Sequence, residues 1–499
     1  MSWLFADGMI ALIGELLDAC THHVLKNVDD ERFPADHHRG ELLVNRQPPG
    51  PRLPKTVQSL LFSMFRHRWL PHLARRHGSV IHLKVRPEGD LAVLSDVGQI
   101  RSVFLGSSTV FHAGEANLIQ EPAMGEHSVL STDEEAHLRL RKQLTPAFLG
   151  SALRDYQRMI TRVTVAEIES WPVGTPFSSL DRMNDLVLEI ILRVLFGVED
   201  GPRLEELRTR LRRILEPRRA ELFSEKRPWL KRFGRWRRAA LNKQRVDELL
   251  YAEIADRRRA ADLDSRQDMF SRLLTAPAAR DRPSDTELRD HLITMLLAAH
   301  ETIATALAWA FHELAWHPAI MENAVQAVEA GQDEYLEAVL KEVLRLRPAI
   351  VEVTRRVNED TEVGGYRIPA GWTVMPSILQ VHLDPAHHAE PAAFRPERFL
   401  TERAPAASWL PFGGGVRRCL GAQFALLEGA IVLREALSRF RVEPAGARPE
   451  QPRLLHVTLF PSRGARIVVR PRSGPGPDRR PAPDDQAENV CPAAPPRAR

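Results

Sequence analysis

Helical and strand periodicities both occur along this chain, and the helical one covers more of it. Residues 56–77 are helical in pattern. Val80-Ile81-His82-Leu83-Lys84-Val85 and Leu91-Ala92-Val93-Leu94 then alternate around a Pro-Glu-Gly-Asp turn, which predicts a β-hairpin. From Ser107 to Thr132 the periodicity fades among Gly114, Pro122 and Gly125, and a further helix begins near Thr132-Asp133-Glu134-Glu135. The strongest pattern starts at Ser284-Asp285-Thr286-Glu287, which has capping-box spacing. Its apolar residues run past Ala310 to Trp316, and Pro318 marks the stop. A helix of about 30 residues spans about 45 Å, and one apolar nearly all round must be buried.

Another helix carries Glu337, Glu342, Arg345 and Arg347 before Pro348, and Val363-Gly364-Gly365-Tyr366-Arg367-Ile368-Pro369 has the look of a hairpin. Ala422, Phe424, Ala425, Leu426, Leu427, Ala430, Ile431 and Leu433 predict a last long helix. The chain enters this body through Pro48-Pro49-Gly50-Pro51-Arg52-Leu53-Pro54, a stiff extended segment that follows an extension over 1–47. From Ser473 to residue 499 it becomes Pro, Asp, Ala and Arg without apolar period, the composition of a disordered tail.

Composition narrows the class. The 69 basic and 65 acidic residues leave a net charge of +4, too weak to imply nucleic acid. Basic residues do cluster locally, at Arg208, Arg210, Arg212 and Arg213, at Arg218 and Arg219, and from Lys231 to Arg238; solvated helix faces and an anionic lipid surface both suit them. Cys20, Cys419 and Cys491 are odd in number and far apart, so neither a disulfide framework nor zinc spacing is present. The chain reads as cytoplasmic. Trp3 to Leu17 is interrupted by Asp7 and Glu15, so it predicts no membrane-spanning anchor; its apolar positions suit an amphipathic helix packed on the protein or in peripheral contact with a membrane.

Candidate chemistry centres on Pro411-Phe412-Gly413-Gly414-Gly415-Val416-Arg417-Arg418-Cys419-Leu420-Gly421. A glycine-rich loop can turn sharply and aim several N–H groups at one atom. With Cys419 at a helix N-terminus behind two arginines, a thiolate is favoured, and a thiolate is the electron-donating ligand a haem iron needs. In the long apolar helix, Ala298 and Ala299 leave room for a flat cofactor beside Glu301 and Thr302, whose polar groups need a reason to be there. His137 and Arg141, four residues apart, share a helix face; they could reach one anionic group together or form an ordinary solvated face.

Phe412, Gly415, Arg417, Cys419 and Gly421 match the pattern Phe-x-x-Gly-x-Arg-x-Cys-x-Gly, and this stretch resembles the haem-binding loop of the cytochromes P450. The resemblance extends over residues 48 to about 472, in four motifs in the family's order. It implies a fold that is mainly α with small β-sheets, one large helical domain over 48–472 enclosing haem b (iron protoporphyrin IX) with Cys419 as thiolate ligand. Glu301 and Thr302 resemble the family's acid–alcohol pair for proton delivery, although the family more often has glycine where Ala299 stands. His137, Arg141, Arg356 and Arg417 would hold the haem propionates, with Arg355 the poorer match. Glu342 and Arg345, joined by Arg398 from Phe394-Arg395-Pro396-Glu397-Arg398-Phe399, would form a buried structural ion cluster. Ala299, Ile350, Val351, Val353, Leu459 and Phe460 would line the substrate pocket under the loop 107–132.

The same resemblance implies a soluble, bacterial-type, monomeric monooxygenase that inserts one atom of O2 into a lipophilic small molecule. No flavin or iron–sulfur domain fits in the remaining chain, so electrons from NAD(P)H would arrive through ferredoxin and ferredoxin reductase, or a flavodoxin. Arg139, Lys142 and Arg418 offer a basic docking surface for an acidic partner. A peroxide-dependent haem-thiolate peroxygenase and a non-catalytic haem- or ligand-binding protein are the alternatives.

Overall fold

A computed structural model describes residues 46–472 apart from 119–120, 149, 198–200, 216–233, 276–281 and 402–406. The amphipathic stretch Trp3–Leu17, the tail from Ser473, Cys20, Cys491 and the basic positions Arg218, Arg219, Lys231 and Arg232 lie outside the described residues.

Helix α1 (Lys55–His77) leads into strands β1 (Val80–Val85) and β2 (Gly89–Leu94), the predicted hairpin, with Val80 opposite Leu94 and Val85 opposite Gly89. Alternation puts Ile81, Leu83, Val85, Leu91 and Val93 on one face, where they pack on Phe62, Trp69, Leu70 and Leu73 of α1. After α2 (Val97–Leu105) and β3 (Phe111–His112) come eight helices: α3 (Glu134–Leu144), α4 (Gly150–Glu169), α5 (Ser179–Phe196), α6 (Pro202–Leu215), α7 (Gly234–Arg259), α8 (Asp285–Trp316), α9 (Pro318–Ala330) and α10 (Asp333–Leu346). Strands β4 (Arg355–Val357), β5 (Thr361–Val363), β6 (Tyr366–Ile368) and β7 (Thr373–Pro376) follow, then α11 (Ala422–Arg439) and strands β8 (Phe440–Pro444), β9 (Pro452–Leu455), β10 (Thr458–Pro461) and β11 (Arg466–Pro471). Shorter helical turns lie between them.

Long-range pairing builds a five-stranded sheet in the order β1-β2-β7-β4-β3, with β2 parallel to β7. The pairs β5–β6 and β9–β10 are antiparallel hairpins. The described residues are thus mainly helical with small sheets.

Helix α8 organises the helical side. Its capping box forms as expected: the Ser284 hydroxyl accepts the Glu287 N–H, and the Glu287 carboxylate accepts the Ser284 N–H at 2.8 Å. From there 32 residues continue to Trp316. Leu292, Ile293, Leu296, Ile303, Leu307 and Phe311 join Leu186, Ile190, Ile191 and Leu195 of α5 in the main core, each such side chain contributing about 1.5–3 kcal/mol on full burial. Among the described residues α8 is also the one helix long and apolar enough to cross a membrane, and it is largely buried within the protein instead.

The basic cluster on α6 is matched by acids. Arg208 meets Glu189 at 2.8 Å, Arg210 meets Glu206 at 2.9 Å and Arg212 meets Asp185 at 3.0 Å. These partly exposed pairs are worth little individually, roughly 0–1 kcal/mol, and they neutralise what the sequence shows as a run of arginines.

Candidate functional site

The Cys419 loop is shaped by close approach. Gly415 has φ +62°, and a Cβ there would stand 1.8 Å from the backbone oxygen of Phe104 on α2, so only glycine fits. The Cys419 N–H donates to the Phe412 carbonyl at 2.9 Å, closing the loop on itself. Trp409 packs edge-on against Phe412, ring centroids 5.7 Å apart, and donates its indole N–H to the Lys341 carbonyl on α10 at 3.1 Å.

Behind the loop, Glu342, Arg345 and Arg398 come together as a buried cluster. Arg345 grips Glu342 bidentately, Nε to Oε2 at 2.7 Å and Nη2 to Oε1 at 2.9 Å, and Arg398 Nε reaches Oε1 at 3.1 Å. The Arg395 N–H donates to the same oxygen at 2.9 Å. Arg345 Nη1 also donates to the carbonyls of His382 and Pro391, both at 2.8 Å. A charge buried this deeply needs all of these partners, because an unpaired one costs several kcal/mol.

Cys419 lies deep among protein atoms yet keeps accessible surface, as a residue lining a recess does. Burial pushes its thiol above the ordinary range, although the Gly421 backbone N–H and the Arg141 and Arg418 charges pull the other way. The thiolate inferred from the sequence is therefore not supplied by the loop alone. A bound metal cation is what would displace the proton. Arg417, two positions before Cys419, turns away to Asp133.

On the other side, α8 opens locally. Ala298 is exposed between the buried Leu296 and His300, and Ala299 is half-buried. The Thr302 hydroxyl donates to the Ala298 carbonyl at 2.9 Å and is within 3.3 Å of the Ala299 carbonyl, the back-bonding that loosens a helix turn. Burial pushes the Glu301 carboxyl above its ordinary range, and a hydrogen bond from the Thr458 hydroxyl partly opposes that shift.

Three arginines, Arg141, Arg355 and Arg417, gather around His137 between α3 and the loop. Burial first, then the charges of Arg417, Arg141 and Arg355, push His137 down to about 4. Burial also lowers Arg355 and Arg417 to about 10, with Asp133 the carboxylate that favours their charged forms. Arg417 spends its guanidinium on the carbonyls of Val129 and Thr132 and on Asp133. The propionate grip implied by the sequence assigned Arg356 rather than Arg355, and here the structure differs. Successive residues of β4 point to opposite faces, so Arg355 is buried over the Phe104 ring (5.7 Å), while Arg356 faces outward, 3.7 Å from Glu115.

The remaining expected positions divide. Val351 and Leu459 are buried against Leu379 and Leu454 in a small apolar cluster of their own, Val353 packs on the sheet core, and Phe460 keeps partial exposure. All three basic docking residues, Arg139, Lys142 and Arg418, are exposed, and Arg139 also pairs with Glu287 at the start of α8. Asp133 reads in the sequence as a helix-start residue. It does occupy the N-cap of α3, but its carboxylate accepts the N–H groups of Ala113 (2.8 Å), Gly114 and Glu115 (both 2.9 Å) instead of capping. Phe104, His382 and Thr458 carry no local signal, since their roles depend on residues distant in sequence.

These features suit a haem. Small Ala298 leaves surface open on an otherwise buried helix, and a cationic group with one carboxylate among it can take up two propionates. Comparisons with known proteins agree. The family model "Cytochrome P450" matches residues 48–468. A Mycobacterium tuberculosis protein named cytochrome P450 135A1 is 46% identical over 428 residues, 85% of this chain and 95% of its own length. Mycobacterium bovis cytochrome P450 135B1 is 41% identical over 432 residues, again 85% of this chain and 91% of that one. In structure, the chain is similar to a retinoic-acid-bound cyanobacterial CYP120A1, with a TM-score of 0.74 at 23% identity, covering 86% of this chain and all of that one, a likeness of fold. The chain belongs to the cytochrome P450 family, and is a haem-thiolate monooxygenase with O2 as co-substrate.

Proposed function

We propose that residues 48–472 form one catalytic body that inserts an oxygen atom into a lipophilic small molecule, with Cys419 as the thiolate ligand and electrons drawn from NAD(P)H through separate redox proteins. The observation that carries this reading is the opening of α8 at Ala298, directly followed by the acid–alcohol pair Glu301 and Thr302 in an otherwise buried helix.

Bound haem supplies oxygen activation, promoted by the electron-rich thiolate. The chain does the rest. Arg355, Arg417, His137 and Arg141 form the propionate grip, with Arg355 taking the place that the motif alone would give to Arg356. Each charge-assisted contact of this kind is worth about 1.5–3 kcal/mol. The Thr302 hydroxyl can donate and accept, so it can release the Ala298 carbonyl and orient a proton within the recess. Burial raises the Glu301 carboxyl above the ordinary carboxylate range, which favours its holding a proton to pass on. Apolar residues around Phe460 and Ala299 exclude water from that proton path and favour a lipophile. Arg139, Lys142 and Arg418 dock an acidic ferredoxin-type partner, an association that weakens with salt.

The deciding experiment is the carbon monoxide difference spectrum of the reduced protein. A red-shifted, thiolate-type band that disappears in Cys419→Ser is expected; no such band in the parent protein overturns the reading. Retention of Glu301 and Thr302 disfavours peroxide as the native oxidant. Turnover of a lipophile with peroxide that survives Thr302→Ala, together with none under reduction in O2, would show the opposite.

A further inference from the structure

Asp290, Thr294 and Ala298 follow one another at four-residue intervals on α8 and so share one face. Ala298 is the exposed point of that face, and the two positions before it hold segment 125–128 of the irregular loop. The Asp290 carboxylate accepts the His127 N–H at 2.9 Å, and the buried Thr294 and Ser128 hydroxyls lie 2.8 Å apart. Gly125 passes so close that a Cβ on it would overlap the Asp290 carboxyl group, and its φ of +98° suits glycine. Segment 125–128 is thus seated on the face that opens at Ala298, with Thr294 one turn, about 6 Å, before the opening.

The anchor is shared with a second element. Asp290 and Arg289 are both buried, and Arg289 Nη1 donates to Asp290 Oδ1 at 2.7 Å. Arg289 Nε donates to Oδ1 of Asp247 on α7 at 2.8 Å, and Nη2 reaches the same oxygen. Neighbouring helix residues do not face each other, so Arg289 and Asp290 meet because the guanidinium reaches round α8 from the α7 side to the loop side. Asp247 has a second cation, Lys243 at 3.4 Å, whereas Arg289 meets only these two carboxylates among the described residues. If either carboxylate moves off, a buried charge is left short of a partner, which is costly.

We propose that Arg289 is a positioning residue for segment 125–128: by holding Asp290 and Asp247 with one guanidinium it ties the segment to α7, so that a ligand enters the recess at Ala298 when the two give way together. The coupling stands on these contacts; its consequence for ligand entry rests on the reading of the recess as the haem site.

The test follows backbone hydrogen exchange by mass spectrometry on the full-length protein. Asp247→Asn, a change on α7, should speed exchange in a peptide covering 125–128 about tenfold, as loss of one charge-assisted contact allows. Glu248→Gln, the next residue of α7, gives up exposed contacts to Arg245 and Gln244 and should leave that peptide unchanged. Arg289→Lys, whose ammonium lacks the planar fork that spans two carboxylates, should match Asp247→Asn, and the double variant should be no faster than either alone. Exchange that rises in α7 but not at 125–128 in Asp247→Asn, or additive effects in the double variant, overturns the coupling. In the haem-loaded protein the entry rate of 4-phenylimidazole, read from the haem spectrum, should rise with the exchange rate in Asp247→Asn and Arg289→Lys. Faster exchange with an unchanged entry rate overturns the role in ligand entry. Absence of the thiolate-type carbon monoxide band from the parent protein would instead sink the haem reading, and exchange decides the coupling in either case.

Discussion

Leu410 donates its backbone N–H to Nε2 of His382 at 2.8 Å, and the same ring meets the Arg345 carbonyl through Nδ1 at 3.1 Å. An acceptor at Nε2 requires the proton on Nδ1, so both contacts are made by one neutral tautomer. A single imidazole thus links the chain entering the Cys419 loop to the helix end that bears the Glu342 cluster.

Burial, then the His388 and Arg345 charges, hold His382 down to about 3. In the unfolded chain a histidine takes its proton near pH 6.5, so the neutral ring stabilises the fold fully above that pH. The contribution is lost as pH falls from about 6.5 towards 3, and amounts to something on the order of 5 kcal/mol over the whole window. In His382→Phe the Leu410 N–H loses its acceptor, at about 1–3 kcal/mol. Thermal unfolding should therefore show the variant less stable at pH 7, with the gap narrowing or reversing by pH 5. A gap independent of pH would contradict this account.

Gly413 and Gly415 make a controlled pair. Both have positive φ, +66° and +62°, but a Cβ on Gly413 meets open space whereas one on Gly415 strikes the Phe104 backbone oxygen. Gly413→Ala should cost about 1–2 kcal/mol of backbone strain and keep the thiolate-type carbon monoxide band. Gly415→Ala should displace the loop and lose that band. Equal behaviour of the two variants would show that conformation alone, and not contact with α2, shapes the loop.

Arg355 and Arg356 are adjacent in sequence but lie on opposite faces of β4. Haem transfer from the protein to an apo-globin acceptor should be faster in Arg355→Gln by about ten- to a hundredfold, the equivalent of one charge-assisted contact. Arg356→Gln, which gives up a partly exposed pair with Glu115, should leave the rate near that of the parent. The reverse ranking would restore the assignment made from the motif.

Glu428 on α11 is completely buried, and neither carboxyl oxygen has a hydrogen-bond partner among the described residues. Burial alone pushes it up to about 8. Below about pH 4.5 folded and unfolded chains both hold this proton. Between there and pH 8 only the folded chain does, so stability falls as pH rises through that window, by something on the order of 5 kcal/mol. Glu428→Gln carries no ionisable proton, and its stability relative to the parent should rise from pH 4.5 to pH 8 in urea unfolding. A constant difference would mean that the carboxyl is ionised in place.

Local signals were enough for much of this protein. Ser284 and Glu287 announce the start of α8 because a capping box needs only residues three apart, and the β1–β2 hairpin is announced by alternation around a turn. Phe412, Gly415, Arg417, Cys419 and Gly421 could be recognised as one loop because its close turns demand those residue types within ten positions. Glu342 and Arg345 pair across one helical turn, so that spacing was visible too. Loop 107–132 was legible only as an irregular segment; its tether to Arg417 through the Val129 and Thr132 carbonyls was not.

What the amino-acid sequence determined by itself is therefore the set of elements and the family of chemistry, since periodicity, caps and tight turns are written in neighbouring residues. Tertiary structure decided which of two neighbouring arginines faces inward and which carboxylate stands among the buried cations. Those choices depend on strand pleat and on burial by segments far away in the chain, and burial sets the cost of every unpaired charge.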